Sequence, residues 1–362
     1  MTKQDVFNNI ESQFSTKNCF SDNKSLVING DSIDILKEIP THSISLILTD
    51  PPYHSTKKNN IINDKSFGTD NEFVNWIEEF AKEWKRILKP SGSIFMFCSS
   101  CMEAKLEIML SKYFNVLSHI VWTKPNEPGF DGWKGKMRKE SLRQWYPHSE
   151  RIIFMESRAE CPDYKTPFSK FLKEARVACK LSGHQLTEEI GAYGSVNHGG
   201  AVSNWESGRN IPSANQYERI VEVLKIHQFK GYIPRFEDII RPFEVNARVE
   251  FTDIWTFPSV RPYKGKHPAE KPINMLEHCI LSSTFEGDIV LDCFAGSGST
   301  LIAAIKNQRR CIGIEIDKNW YESIVRKLET FNFNDKLEYN SNIMMKSLSK
   351  KELTGSLFPE LG

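Results

Sequence analysis

Asp50-Pro51-Pro52-Tyr53 gathers a carboxylate, two proline carbonyls and a phenol ring within four residues. Two successive prolines fix φ and remove two backbone donors, so this turn offers hydrogen-bond acceptors and a flat ring. That array suits a planar exocyclic amine. A carboxylate and a carbonyl accept its two N–H bonds and turn its lone pair outward, while the ring stacks on the base. The apolar run Ile44-Ser45-Leu46-Ile47-Leu48 just before it has the pattern of a buried strand, which sets the group at a strand's carboxyl edge. A proline turn with no chemical role is the alternative for this motif taken alone. The second feature is Asp292-Cys293-Phe294-Ala295-Gly296-Ser297-Gly298, between the strand-like Ile289-Val290-Leu291 and a helical run from Ser299 to Ile305. Its glycines let the backbone turn sharply and approach a ligand. A strand, glycine loop and helix is by itself a general nucleotide-binding signal. About twenty residues further on, Cys311-Ile312-Gly313-Ile314 ends in Glu315, placed to accept ribose hydroxyls.

Together these motifs resemble the amino-methylating DNA methyltransferases. The resemblance implies that Asp50, Pro51, Pro52 and Tyr53 form the catalytic turn, holding adenine N6 for methyl transfer from S-adenosyl-L-methionine. It implies a cofactor site built from Asp31, Asp50, His267, Lys271, Asp292, Phe294, Ala295, Gly296, Ser297, Gly298 and Glu315, with no metal. Gly30-Asp31, after Leu26-Val27-Ile28-Asn29, is similar to the family's adenine-side contact. His267-Pro268-Ala269-Glu270-Lys271-Pro272 is similar to its His-Pro-Thr-Gln-Lys-Pro segment, with Ala269 and Glu270 replacing Thr and Gln. The catalytic turn precedes the glycine loop, an order that resembles the beta class. The likeness covers residues 25–157 and 250–330. N4-cytosine methylation uses the same chemistry and stays open, as does a non-catalytic DNA-binding regulator on a methyltransferase scaffold.

These motifs need a sheet to hold them. Phe73, Trp76, Ile77, Phe80, Trp84 and Leu88 have helical spacing, Lys89-Pro90-Ser91-Gly92 reads as the helix stop, and Ser93 to Cys98 as the next strand. Val116–Thr123 and Arg151–Met155 supply further strands. Alternation of this kind predicts a mostly parallel α/β sheet covered on both faces. With the family likeness, the expected fold is a circularly permuted Rossmann-like methyltransferase sheet carrying an inserted small all-α helix-turn-helix domain. The expected division is catalytic residues 1–160, a helical target-recognition insert 161–245, catalytic residues 246–330 and a polar tail 331–362.

The insert stands out because the strand pattern vanishes from about Thr166 to Lys225. Phe168, Phe171, Leu172, Ala175 and Ala178 make one helical face. Leu186–Gly191, Ala201–Arg209 and Ala214–Ile226 give three more short helices. Trp205-Glu206-Ser207-Gly208-Arg209 resembles the close of the recognition helix in lambda-repressor-type domains, although the connection Ala192–Gly200 is longer than their tight turn. Ser203, Asn204 and Arg209, with Ser195, Asn197 and His198, become candidates for base or phosphate contact. A helical dimerisation module, and so a homodimer, is the alternative.

Charge narrows the DNA contacts further. Lys plus Arg total 47 against 46 acidic residues, so no overall polycation draws the chain to DNA. Local asymmetry must do that. Lys134, Lys136, Arg138, Lys139 and Arg143 lie among Trp133, Trp145 and Tyr146, a mixture suited to phosphates and an unstacked base. Arg261, Lys264, Lys266 and Lys271 form a second cluster, and the polar stretch His54–Asp70 after the catalytic turn reads as a lid closing on substrate, the expected partner being double-stranded DNA. Ser356-Leu357-Phe358 has a faint likeness to peptides that dock on sliding clamps.

Hydrophobic residues at 40% supply a core, and no apolar run reaches the roughly 20 residues of a membrane span. Met1–Asp5 lacks a signal-peptide core. Eight scattered cysteines, Cys98, Cys179, Cys279 and Cys311 among them within strand or helix patterns, point to small buried residues in a reducing cytoplasm. A bacterial or phage setting beside the nucleoid is expected. Cys98 and Cys101 have metal-like spacing but no second close pair.

Overall fold

Six consecutive buried residues, Ile44 to Thr49, form the strand on which the sheet is centred. Burial on both faces is the mark of a parallel strand covered by helices. The structure is a computed structural model that describes residues 2–53, 67–125, 143, 145, 149–160, 163–192, 200–245 and 252–331. The chain opens with α1 (Lys3–Phe14), β1 (Cys19–Ser21), β2 (Ser25–Asn29), α2 (Ser32–Leu36) and the central β3 (Ile44–Thr49). There follow α3 (Asp70–Ile87), β4 (Leu88–Cys98), α4 (Glu103–Leu110), β5 (Phe114–Thr123) and β6 (Ser149–Ser157). A helical stretch comes next: α5 (Pro167–Ala178), α6 (Gly183–Glu189), α7 (Ala201–Glu206), α8 (Ala214–Ile226) and α9 (Phe236–Ile239). Then come β7 (Ile254–Thr256), α10 (Ile273–Ser283), β8 (Ile289–Asp292), α11 (Ser299–Lys306) and β9 (Arg310–Glu315), and residues 318–331 are helical.

One nine-stranded sheet runs β1-β2-β9-β8-β3-β4-β6-β5-β7. From β2 to β4 all neighbours are parallel, while β6 is antiparallel to both β4 and β5, and β1 is antiparallel to β2. The sheet is mixed, yet five of its eight strand pairs are parallel, β5 with β7 included, so it is mostly parallel as expected. Its parallel part holds the central feature. β3 and β8 lie side by side, with Leu46 opposite Val290 and Ile47 opposite Leu291. From β3 the chain proceeds to β4 on one side, and from β8 to β9 on the other. Their carboxyl ends therefore diverge from a crevice, the place where open α/β sheets bind ligands.

Alternation along β3 sends Ile47 into one apolar cluster and Leu46 and Leu48 into the other, and the irregularity between Ile44 and Leu46 puts Ile44 with Ile47. On the first side α3 covers the sheet. Thr69 caps it by accepting the Glu72 N–H at 3.2 Å, Asp70 and Glu72 sit in its first turn, and Lys85 and Arg86 sit in its last. Each charge complements the helix dipole. Phe73, Ile77, Phe80 and Trp84 form its buried stripe. The expected stop at Lys89–Gly92 is different in kind: the helix ends at Ile87 and that tetrapeptide is already part of β4. A register shift between Ile44 and Leu46 on the facing strand takes up the irregularity, with Ile44 opposite Leu88 and Leu46 opposite Ser93.

The helical stretch closes a core of its own. Phe168, Leu172, Leu186, Val202, Trp205 and Leu224 pack together, and α5, α6 and α8 each begin in a reciprocal capping box. Arg176 Nε donates to Glu206 Oε1 at 2.6 Å and ties α5 to α7. The module is fastened to the sheet near its end: Ser91 Oγ donates to the Glu237 carbonyl at 2.7 Å and Arg241 Nε to Glu156 Oε2 at 2.8 Å. α7 stops at Glu206, with Gly208 at φ 67° immediately after, so Arg209 lies beyond the helix. Cys98, Cys279 and Cys311 are buried as expected, whereas Cys179 is only half-buried. Among the described residues no helix is long and apolar enough to cross a membrane, and no group of His, Cys, Asp and Glu could hold a metal.

Candidate active site

The crevice between β3 and β8 opens into a cavity of 190 Å³. Strand β3 delivers Asp50, Pro51, Pro52 and Tyr53 to one wall, and β8 delivers Asp292 and the glycine loop to the other. Asp31, Glu315, His267 and Lys271 complete the lining together with Trp76, Phe80 and Trp320. Of the residues expected from sequence to form the cofactor site, all but Gly298 line this one cavity. Gly298 lies just behind it, at φ 78°, as the residue that turns the loop into α11.

The loop geometry depends on its glycines. Gly296 has φ 47°, and a Cβ there would meet His267 Cε1 at 3.0 Å, so the backbone passes close against that ring. Its N–H donates to Glu315 Oε2 at 2.7 Å, while Glu315 Oε1 accepts the Asp317 N–H at 2.8 Å. Each carboxylate oxygen keeps a further lone pair for a ligand. Burial raises the Glu315 pKa, against the lowering effect of these N–H groups. Asp31 caps α2 by accepting the Ile33 N–H at 2.9 Å. Asp292 Oδ1 accepts from the Thr49 hydroxyl at 3.2 Å and from the Phe294 N–H at 3.1 Å, and its burial pushes its pKa up to about 6. The Phe294 ring packs on Phe80 at 5.1 Å and Trp76 at 5.7 Å, which continues the apolar stripe of α3 into the cavity wall.

His267 lies edge-on to Trp320 at 4.5 Å, and its Nδ1 accepts the Ala269 N–H at 3.2 Å. Burial, followed by the positive field of Lys271, Lys327 and Lys266, lowers its pKa to about 4, so the ring is neutral at pH 7. Lys271 is turned toward the Asp50–Tyr53 turn. Its Nζ donates to Asp50 Oδ2 at 2.5 Å and lies 3.4 Å from Glu150 Oε2. Two carboxylates outweigh its burial and hold its pKa up. Asp50 is raised chiefly by burial, with Lys271 opposing. The direction that holds for the pair is a charged ammonium beside a carboxylate, because one proton bridges them and Lys271 has a second anionic neighbour. Among the described residues no hydrogen-bond partner reaches the buried Asp50 Oδ1. A buried acceptor left open is costly unless something fills it.

Glu150 is a residue of this cluster that the sequence alone did not single out. Tyr53 Oη donates to Glu150 Oε2 at 2.8 Å, and Lys124 Nζ to Oε1 at 3.0 Å. The topology accounts for the meeting. β6 runs antiparallel to β4, so its start lies beside the end of β4, with Cys98 opposite Arg151, and the end of β5 lies opposite Ser149 and Glu150. An acidic residue opening an apolar strand that returns to the sheet was the available signal.

The DNA-contact candidates divide. Lys134, Lys136, Arg138 and Lys139 lie outside the described residues, as do Ser195, Asn197 and His198, most of the expected lid and the Ser356–Phe358 peptide. Arg143 and Trp145 are exposed. Ser203 and Arg209 are exposed and Asn204 half-buried, all on or just after α7 and away from the cavity lining. Arg261 and Lys264 are exposed in the segment leading to His267.

An acceptor-rich turn and a glycine loop thus face each other at the switch point in the parallel part of the sheet, where open α/β sheets bind ligands. The family model described as DNA methylase, of the N6/N4 type, matches residues 44–326, and the chain belongs to that family. It is 26% identical to the DNA adenine methyltransferase YhdJ of Escherichia coli strain K12 over 93% of this chain and 92% of that one. It is also 26% identical to the type II methyltransferase M2.MboI of Moraxella bovis, over 85% and 89%. Among solved structures it is similar to the PvuII cytosine-N4-specific DNA methyltransferase, with 17% identity, coverage of 83% and 85%, and a TM-score of 0.49.

Proposed function

We propose that this protein transfers a methyl group from S-adenosylmethionine to adenine N6 in duplex DNA, at a sequence read by the helical module. The single observation that carries the chemistry is the open Asp50 Oδ1 at the crevice, with Oδ2 already occupied by Lys271. The cavity suits the cofactor. Acidic side chains (Asp31, Glu315, Asp292) surround it, fitting a ribose diol and a cationic sulfonium, and Gly296 leaves the space that a Cβ would take. Glu315 and Asp31 would hold the nucleoside end, and the loop from Phe294 to Gly298 with His267 the remainder. When bound, S-adenosylmethionine supplies a methyl group that is already activated on sulfur.

The protein's own work is alignment. Asp50 Oδ1 and the Pro51 carbonyl accept the two amine N–H bonds, and Tyr53 packs on the base plane. Holding the nitrogen lone pair toward the cofactor converts a bimolecular encounter into a local one. The target base has to leave the helix first, at a cost of a few kcal/mol. Adenine is favoured over cytosine by Asp, not Ser, ahead of the prolines and by the named activity of the adenine-specific relative. The order of motifs suits a beta-class, circularly permuted enzyme, and the module of α5 to α8 occupies the stretch between β6 and His267 where such enzymes carry target recognition. Its likeness to repressor domains supports Ser203, Asn204 and Arg209 as DNA contacts.

Incubation with unmethylated genomic DNA and labelled S-adenosylmethionine, followed by nucleoside mass analysis, tests the reading. N6-methyldeoxyadenosine as the product is expected. N4-methylcytosine would shift the substrate to cytosine, and no labelled nucleoside would end the enzymatic reading.

A further inference from the structure

We propose that Glu150 is a positioning residue for methyl transfer: its carboxylate draws together the Tyr53 hydroxyl and the Lys271 ammonium, and so fixes which Asp50 oxygen faces the substrate. The inference rests on the transferase reading above and deepens it.

Four charged groups and a phenol come together from four separate parts of the chain. Asp50 and Tyr53 follow β3, Lys124 follows β5, Glu150 opens β6, and Lys271 precedes α10. Lys271 and Asp50 side chains are only 10% and 16% exposed, and Glu150 21%. Charges so withdrawn from water are unfavourable unless they are paired. Two carboxylates face two ammoniums, and the set is neutral. Removing Glu150 takes from Lys271 its second carboxylate and from the Tyr53 hydroxyl the acceptor it has at 2.8 Å. Lys271 could then bridge both Asp50 oxygens, including the Oδ1 that the amine needs. Tyr53, which also follows the proline pair, could rotate its ring off the base plane.

The charges facing Glu150 among the described residues define its influence on pH dependence. They are Lys271 and Asp50 across the crevice, Tyr53 beside them and Lys124 from the end of β5. Arg151 and Glu103 lie beyond and pair with each other at 3.2 Å, Cys98 sits at the end of β4, and Asp292 lies on the far wall. Burial raises Glu150 and the two lysines overcome that, leaving it at about 2, so it is ionised throughout the working range. Its negative charge raises the pKa of Asp50 and of Lys271. Neutralising it lowers the pKa of Asp50 and of Lys271 alike.

The test is Glu150→Gln, which keeps shape and an acceptor for Tyr53 while deleting the charge, alongside Tyr53→Phe and the double variant. Single-turnover methyl transfer and S-adenosylmethionine affinity are measured across pH, with circular dichroism to confirm folding. The expected result is a transfer rate lowered on the order of a hundredfold, the scale set by an ångström of misplacement, with cofactor affinity unchanged. Both limbs of the rate–pH profile should move to lower pH, and the two substitutions should be non-additive, as for residues in one network. Wild-type turnover in Glu150→Gln would overturn the inference, and so would a loss that is equal at every pH and additive with Tyr53→Phe. Wild-type enzyme that transfers no methyl to DNA would instead remove the transferase reading, and this inference with it.

Discussion

His267 shows how much of the site's behaviour is set by one side chain's surroundings. Its neutral state is imposed by burial and by three nearby lysines, with a pKa of about 4 against an ordinary 6.5. A group whose folded pKa is depressed in this way takes up its proton first in the unfolded chain. As pH falls from 6.5 toward 4 it therefore costs stability, up to about 3 kcal/mol at 1.36 kcal/mol per unit. Asp292 works in the opposite sense. Held at about 6 against 3.8, it takes up its proton first in the folded protein and adds stability between about 6 and 3.8. The two nearly cancel, so the wild-type curve alone hides both. His267→Asn retains an acceptor for the Ala269 N–H and removes only the histidine's contribution. Its destabilisation, measured by urea unfolding, should be largest at pH 7 and shrink steadily toward pH 4.5. Parallel curves for the two proteins would show that His267 is not held neutral by the fold.

At the scale of elements, the strands were legible because burial on both faces leaves a plain apolar run, as in Ile44–Leu48 and Ile289–Leu291. The four helices of the insert were legible from Phe168, Leu172, Trp205 and Leu224 at helical spacing. Lys89–Gly92 misled because a proline and a glycine after a helix usually signal a loop, whereas here a register shift lets β4 begin at once. The antiparallel β6 was hidden for a different reason: an apolar strand carries no mark of its direction. Glu150 was lost for that same reason, since its place beside Asp50 depends on β6 running backward against β4. The Asp50–Tyr53 turn and the glycine loop, by contrast, are local motifs whose strand contexts suffice. The structure also constrains how the insert can be tested. α9 runs directly into Ile240, which packs in the core of the helical module, so a deletion that ended at residue 226 would expose apolar surface. Substitution on α7 is cleaner. Ser203→Ala with Asn204→Ala should leave total methylation capacity intact while reducing preference for the target sequence by roughly 1–3 kcal/mol, the range of a base-edge contact. Competition between specific and random duplexes reads that change. Undiminished selectivity would move recognition to another segment and leave the module a structural or dimerising part.

At the scale of the molecule, a chain with 47 basic and 46 acidic residues attracts no polyanion by net charge. Under the proposed reading DNA would be drawn by local positive surface, such as the exposed Arg143, Arg261 and Lys264, toward a crevice whose own walls are acidic. That contrast would suit phosphates outside and a cationic cofactor and a neutral base within. Everything converges on the carboxyl ends of β3 and β8, where the sheet diverges and the two motifs face each other. The most direct measurement is therefore methyl transfer to duplex DNA and S-adenosylmethionine binding by wild type and Asp50→Ala side by side. The account predicts that the substitution abolishes N6-methyldeoxyadenosine formation while calorimetry still shows the cofactor bound. An Asp50→Ala enzyme that methylates DNA at the wild-type rate would contradict it.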